Sequence, residues 1–183
     1  MDKRHKEVKW YEKLDETADV QEKSSAVKTV KKSAIKKDLF DQNIKDTYEW
    51  IDLIASKLGL EERPDTAWNI LREVMHIIRD RITINEVLHL SAQLPVLIRG
   101  MYFEGYSISA KPRKFHVAEV EERIRKALMG TTGIEAQKAF GAVLTTLYAR
   151  ISEGELNDIR GTLPKDIKEY WDESVENSEP IME

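Results

Sequence analysis

Two stretches decide the fold of this chain: IRDRITINEVLHLSAQLPVLI at residues 78–98 and LYARISEGELNDIRGTLPKDI at residues 147–167. They stand 69 positions apart, and at that offset their punctuation coincides. Arg81-Ile82-Thr83 falls on Arg150-Ile151-Ser152, Glu86 on Glu155, and Leu94-Pro95 on Leu163-Pro164. Apolar positions follow suit, with Leu90 on Ile159 and Ile98 on Ile167. Thr83-Ile84-Asn85-Glu86 has the form of a capping box, in which a hydroxyl accepts a backbone N–H and the Glu three residues on reaches back. Ser152-Glu153-Gly154-Glu155 has the same form. Each stretch therefore reads as a break, a capped helix, and a proline that turns the chain into the next helix.

The overlay extends outward on both sides. Ala67 meets Ala136, Leu71 meets Phe140, Val74 meets Val143, Ile78 meets Leu147 and Tyr102 meets Trp171. A repeat of this length points to two copies of one supersecondary unit. Each copy reads as four helices. The first has apolar residues recurring at helical spacing from Phe40 through Ile44, Ile51, Ile54 and Leu58, and Gly59 is placed to close it in a left-handed turn. Asp65 or Thr66 is the expected cap of the next helix, whose stripe is Ala67, Ile70, Leu71, Val74, Ile77 and Ile78. Fourth helices are expected from about Pro95 to Phe103 and from Pro164 to Trp171. The second copy opens with a helix from Val117 to Met129, ending near Gly130. No alternating strand pattern of useful length occurs. The expected fold is all-α, a compact helical bundle built from two tandem copies. Its organisation is a charged arm at 1–37, disordered or partly helical, repeats at 38–106 and 117–171 joined by a linker at 107–116, and an acidic tail at 172–183.

Composition narrows the function classes. Hydrophobic residues make up 41% of the 183 and charged residues 34%, a balance that suits a folded helical protein with a charged surface. The absence of cysteine excludes disulfides, thiolate zinc sites, iron–sulfur clusters and cysteine nucleophiles. MDKRHKEVKWYEK at the start has no apolar run of the secretory kind, and no run of about 18 apolar residues occurs anywhere. A cytoplasmic protein is expected. Net charge is −4, but residues 1–37 carry 11 basic and 7 acidic side chains. Lys23, Lys28, Lys31, Lys32, Lys36 and Lys37 fall in a stretch without one acid, whereas residues 172–183 hold five acids and no base. Such a lysine segment can neutralise phosphates and give weak, salt-sensitive nucleic-acid binding. Lacking interleaved aromatics and arginines, it has no means of base readout. The competing reading is a solvated arm.

No catalytic set is legible: there is no nucleophile elbow, no glycine-rich phosphate loop, and no Ser/His/Asp arrangement with supporting context. Two candidate sites remain. Arg79, Asp80, Arg81 and Arg99, with Tyr102, Glu104 and Tyr106, could frame a pocket for a carboxylate or phosphate, because guanidinium binds planar anions bidentately. Equally, Arg79 and Arg99 could pair with Asp80 or Glu104 to lock helix ends while the aromatics close the core. Glu73 and His76, and Glu86 and His89, are two Glu-x-x-His pairs, the spacing that carboxylate bundles use for metals. Against a metal, Glu86 is claimed by the capping box, and the second copy has Thr145 and Asp158 where the first has its histidines.

The stretches Ile78-Arg79-Asp80-Arg81-Ile82, Ala92-Gln93-Leu94-Pro95 and Arg99-Gly100-Met101-Tyr102-Phe103-Glu104-Gly105-Tyr106 carry a family resemblance, together with Arg150-Ile151-Ser152 through Leu163-Pro164. Over roughly residues 40–171 the chain resembles an uncharacterised bacterial all-helical family, the domain of unknown function numbered 2267. The resemblance implies an all-helical fold and no particular activity. With no cofactor or metal expected, the leading expectation is a non-catalytic module that binds another protein. Nucleic-acid or acidic-partner binding through the lysine segment, and an anion or enzyme site near Arg79, Arg99, Tyr102 and Glu104, are the alternatives.

Overall fold

The computed structural model describes residues 37–109 and 111–178. Lys23, Lys28, Lys31, Lys32 and Lys36 of the basic arm, and residues 179–183 of the acidic end, lie outside the described residues. Among the described residues the chain is all-helical and without strands. The helices are α1 (Lys37–Leu58), α2 (Pro64–Arg81), α3 (Ile84–Gln93), α4 (Val96–Tyr102), α5 (Val117–Ala127), α6 (Ala136–Arg150), α7 (Glu153–Thr162) and α8 (Lys165–Glu176).

Their boundaries fit the 69-residue offset closely. α3 maps onto α7 at both ends, α4 and α8 start at matching positions, and α1 and α5 end at matching positions. Burial repeats as well. Ala67 and Ala136, Leu71 and Phe140, Val74 and Val143, Ile78 and Leu147, Leu90 and Ile159, Ile98 and Ile167, and Tyr102 and Trp171 are buried in both sets. These residues join one continuous core, so neither set closes a core by itself. α2 and α6 are its central helices: α2 packs on α4, α5 and α6, and α6 packs on α2, α5, α7 and α8.

Local chemistry explains most of the boundaries. Gly59 closes α1 at φ +65°, where a Cβ would be strained. Thr83 caps α3, its hydroxyl accepting the Glu86 N–H at 3.3 Å. Three ends depart from the sequence reading. Neither Asp65 nor Thr66 caps α2, because the helix begins at Pro64, whose missing N–H is one the first turn would leave unbonded anyway. Ser152 makes no side-chain cap to α7. α8 continues to Glu176, into the stretch read as tail, because Ser174 is buried there and Val175 packs on the core.

The extra length of α8 requires a close approach. A Cβ on Gly141 of α6 would overlap the carbonyl oxygen of Ser174 and the hydroxyl of Ser178. In the first set, the shorter α4 ends at Tyr102, and the position matching Gly141 is Arg72. No helix among the described residues is long and apolar enough to cross a membrane.

Candidate functional site

The C-terminal end of α2 holds a buried ionic cluster. Arg79 and Asp80 are both under 5% exposed. The Arg79 Nε donates to Asp80 Oδ1 at 3.1 Å, and its Nη1 donates to the carbonyls of Tyr102 at 2.5 Å and Glu104 at 2.9 Å. Those carbonyls sit at the end of α4, whose last C=O groups have no intrahelical partner, so the guanidinium serves as a cap reaching over from α2. From the segment that follows α4, Lys111 pairs with Asp80 Oδ1, and Arg113 pairs with Oδ2 at 3.3 Å. The Arg113 N–H also donates to the Asp80 carbonyl at 2.7 Å.

Tyr106 closes the cluster from one side. Its ring centre lies 5.2 Å from the Arg79 guanidinium and 5.1 Å from the Lys111 ammonium, within cation–π range. Burial alone would raise the pKa of Asp80. The Lys111 hydrogen bond, with the charges of Arg79 and Lys111, outweighs burial and holds the carboxyl below its ordinary value. The hydroxyls of Tyr102 and Tyr106 are buried without a hydrogen-bond partner, and burial pushes both phenols up.

The remaining members of this sequence-derived set go elsewhere. Arg81 donates to the Arg113 carbonyl at 2.8 Å and lies over Phe115. Arg99 Nη2 donates to the carbonyls of Leu94 at 2.9 Å and Ala92 at 3.2 Å, closing the end of α3. The Glu104 side chain is exposed, and only its backbone carbonyl joins the cluster. An anion approaching Arg79 would have to displace Asp80 or the two carbonyls. Two surface clefts, of about 360 Å³ and about 370 Å³, lie away from this cluster. Asn69, Arg72, Glu73 and Arg123 line one; Glu121, Arg125, Ile134 and Gln137 line the other.

The two Glu-x-x-His pairs are not brought together. Glu73 pairs with Arg123 at 2.5 Å, and the His76 Nε2–H donates to the Met101 carbonyl at 2.8 Å. Burial lowers the pKa of His76, against the Met101 hydrogen bond and with the Arg79 charge.

Glu86 and His89 instead meet Glu155. One ligating atom from each of the three lies within 4.8 Å of the other two. α3 and α7 pack together, and Glu86 and Glu155 hold matching positions in their first turns. Why Glu155 turns this way is visible at the start of α7. In a capping box it would reach back to the Ser152 N–H, but Gln93 Oε1 from α3 accepts that N–H at 3.2 Å. The Glu155 carboxylate is thereby released toward α3, where Oε2 accepts from Gln93 Nε2 at 3.2 Å. Its Oε1 is closed off from solvent and accepts no hydrogen bond. Burial raises the pKa of Glu155; the charges of Glu86 and Asp158 raise it further, while His89 and Gln93 oppose.

Sequence reading singled out Glu86 and His89 but passed over Glu155, Asp158 and Gln93. The signal was the repeat itself: where two matching helices meet, matching residues approach each other, and the offset pairs Glu86 with Glu155 and His89 with Asp158. Lys111 and Arg113 gave no periodic signal, because they belong to the irregular segment between α4 and α5.

No curated protein matches the chain. Residues 47–170 match the family model described as "Uncharacterized conserved protein (DUF2267)", and the chain belongs to that family.

Proposed function

We propose that this domain is a non-catalytic interaction module that docks an apolar segment of another protein, such as one face of an amphipathic helix, on α3 and α4. The observation that carries this reading is an asymmetry between the sets. Leu88, Val96 and Leu97 are 55%, 58% and 45% exposed, and Ile84 is also exposed, all on two consecutive helices that pack together. Their counterparts on α7 and α8 are Asn157, Lys165, Asp166 and Glu153. Scattered exposed apolar residues are ordinary; four of them on one pair of packed helices support the reading of a contact surface. The matching positions on α7 and α8 are polar at all four places, which supports reading the apolar groups of α3 and α4 as serving something other than the packing of the helix pair. Helix-in-groove recognition uses anchors at such spacings.

The test is site-directed photocrosslinking in cells, with the photoreactive residue at Leu88 or Leu97 and at the matching positions Asn157 and Asp166. The expected result is one discrete crosslinked protein from positions 88 and 97, none from 157 and 166, and its loss in L88E/L97E protein with unchanged circular dichroism. Equal capture from both helix pairs, or capture that survives L88E/L97E, would refute the reading.

A second reading rests on Lys23, Lys28, Lys31, Lys32, Lys36 and Lys37, six cations with no acid among them. It predicts weak nucleic-acid binding whose affinity falls with salt. A chain beginning at Asp38 should lose that binding; retention would remove the lysine segment from consideration.

A further inference from the structure

We propose that Glu86, His89 and Glu155 form a site for one divalent first-row metal ion, of the Zn²⁺ or Mn²⁺ type, that bridges α3 and α7. Glu86 and His89 stand three residues apart on α3 and so share a face, and Glu155 enters from the facing helix. The mutual separation of 4.8 Å or less is that of atoms able to surround one ion. This is not a simple acidic patch, since an imidazole is one of the three donors.

A second observation points the same way. The Glu155 side chain is half-buried, and its Oε1 is closed to solvent and accepts no hydrogen bond. An acceptor shielded in that way is ordinarily matched by a donor or a cation. Gln93 supplies one hydrogen bond, to the other oxygen, and by taking the Ser152 N–H it holds the carboxylate turned toward α3. That is the outer-shell orienting role that metal-binding carboxylates require. Asp158 follows Glu155 by three residues on α7 and adds a further carboxylate to that helix.

Donor chemistry selects the ion. Two hard carboxylate oxygens and one imidazole suit Zn²⁺, Mn²⁺ or Fe²⁺, and the three donors include no sulfur that would favour a softer ion. Three protein donors are too few for the six to eight oxygens that Ca²⁺ takes. They also leave a position for water. His89 is exposed, so an ion can enter from solvent without opening the core.

The test uses the full chain, stripped with chelator and titrated with Zn²⁺ by calorimetry and with Mn²⁺ by nuclear magnetic resonance. One Zn²⁺ per chain is expected. Affinity should fall at least about tenfold in Glu155→Gln and in His89→Asn, and stay unchanged in His116→Asn, which alters an exposed histidine beside Asp166. Absence of stoichiometric binding, or equal affinity in all three variants, overturns the site. The Mn²⁺ experiment needs no variant. Paramagnetic broadening centred on α3 and the start of α7 supports the proposal, and broadening centred elsewhere, or none, overturns it. Because the readout is ion binding, its outcome is independent of the docking surface on α3 and α4.

Discussion

Replacing Asp80 by asparagine keeps the shape of the side chain and removes its charge. The carboxylate is 4% exposed and pairs with Arg79 and Lys111, each 5% exposed, and with Arg113, which is 61% exposed. The Arg113 pair is largely in solvent and contributes little. The other two are not: D80N leaves a guanidinium and an ammonium out of water without an anion. Removing one partner of a buried pair costs about 3–5 kcal/mol. That is a large share of the roughly 5–15 kcal/mol that stabilises a domain. Urea unfolding followed by circular dichroism at pH 7 measures it. Because the folded pKa of Asp80 is depressed, its contribution is fully present above the unfolded carboxylate pKa of about 3.9 and is lost as pH falls through the folded value. The gap between wild type and D80N should therefore be widest near neutrality and shrink below about pH 4. Removing the stranded ammonium in D80N/K111M should recover part of the loss, since the two sites are coupled. A D80N loss under about 1 kcal/mol at pH 7, or one that does not change with acid, would refute the claim that this carboxylate is buried among cations.

Glycine replacements separate intrinsic helix preference from packing. Gly161→Ala on α7, where the new methyl meets nothing within 4 Å, should gain about 0.5–1 kcal/mol in thermal unfolding. Gly141→Ala should instead lose about 1–3 kcal/mol, because the methyl overlaps the Ser174 carbonyl and forces α6 and α8 apart; equal gains in both would mean that the helices do not approach so closely. Tyr102→Phe removes a buried hydroxyl that has no partner, so stability measured in urea should be unchanged or rise by about 1 kcal/mol. A loss above about 1 kcal/mol would place a bonding partner on that oxygen.

The fold was legible because local and distant signals agree. Thr83, Leu94-Pro95 and Gly59 punctuate the chain where the apolar stripes start and stop, and the offset of 69 doubles that information. What escaped the sequence is where side chains turn once helices pack. Ser152 and Glu155 have the composition of a capping box, but a capping box is a contest for one N–H, and Gln93 wins it from another helix. No single-sequence rule contains that competitor. The end of α8 was misjudged for a related reason: Asp172, Glu173 and Glu176 look like a solvated tail, while Ser174 between them is buried, with its carbonyl lying close against Gly141. Arg79 and Asp80 do pair, and sequence reading set Tyr102 and Glu104 beside them, but that these two join through backbone carbonyls and that Lys111 joins at all follow no pattern that spacing could reveal.

The differences between the two sets are informative because their buried positions are so alike. Seven matched pairs are buried on both sides of the offset, so the core constrains both sets in the same way. Freedom to differ is left to positions outside it, and the differences found there run in opposite directions. At four exposed positions the first set is apolar and the second polar, and these are the positions on which the proposed docking surface rests. At the meeting of α3 and α7 the first set supplies a carboxylate and an imidazole, and the second supplies the carboxylate that its own cap does not use. A metal there would tie together helices that are otherwise held by matched apolar faces, each contributed by one set. Loss of the ion would then loosen the contact between α3 and α7 while α2 stayed packed on α5 and α6, and the apolar face of α3, the same helix that carries Glu86 and His89, would be the first surface to feel it.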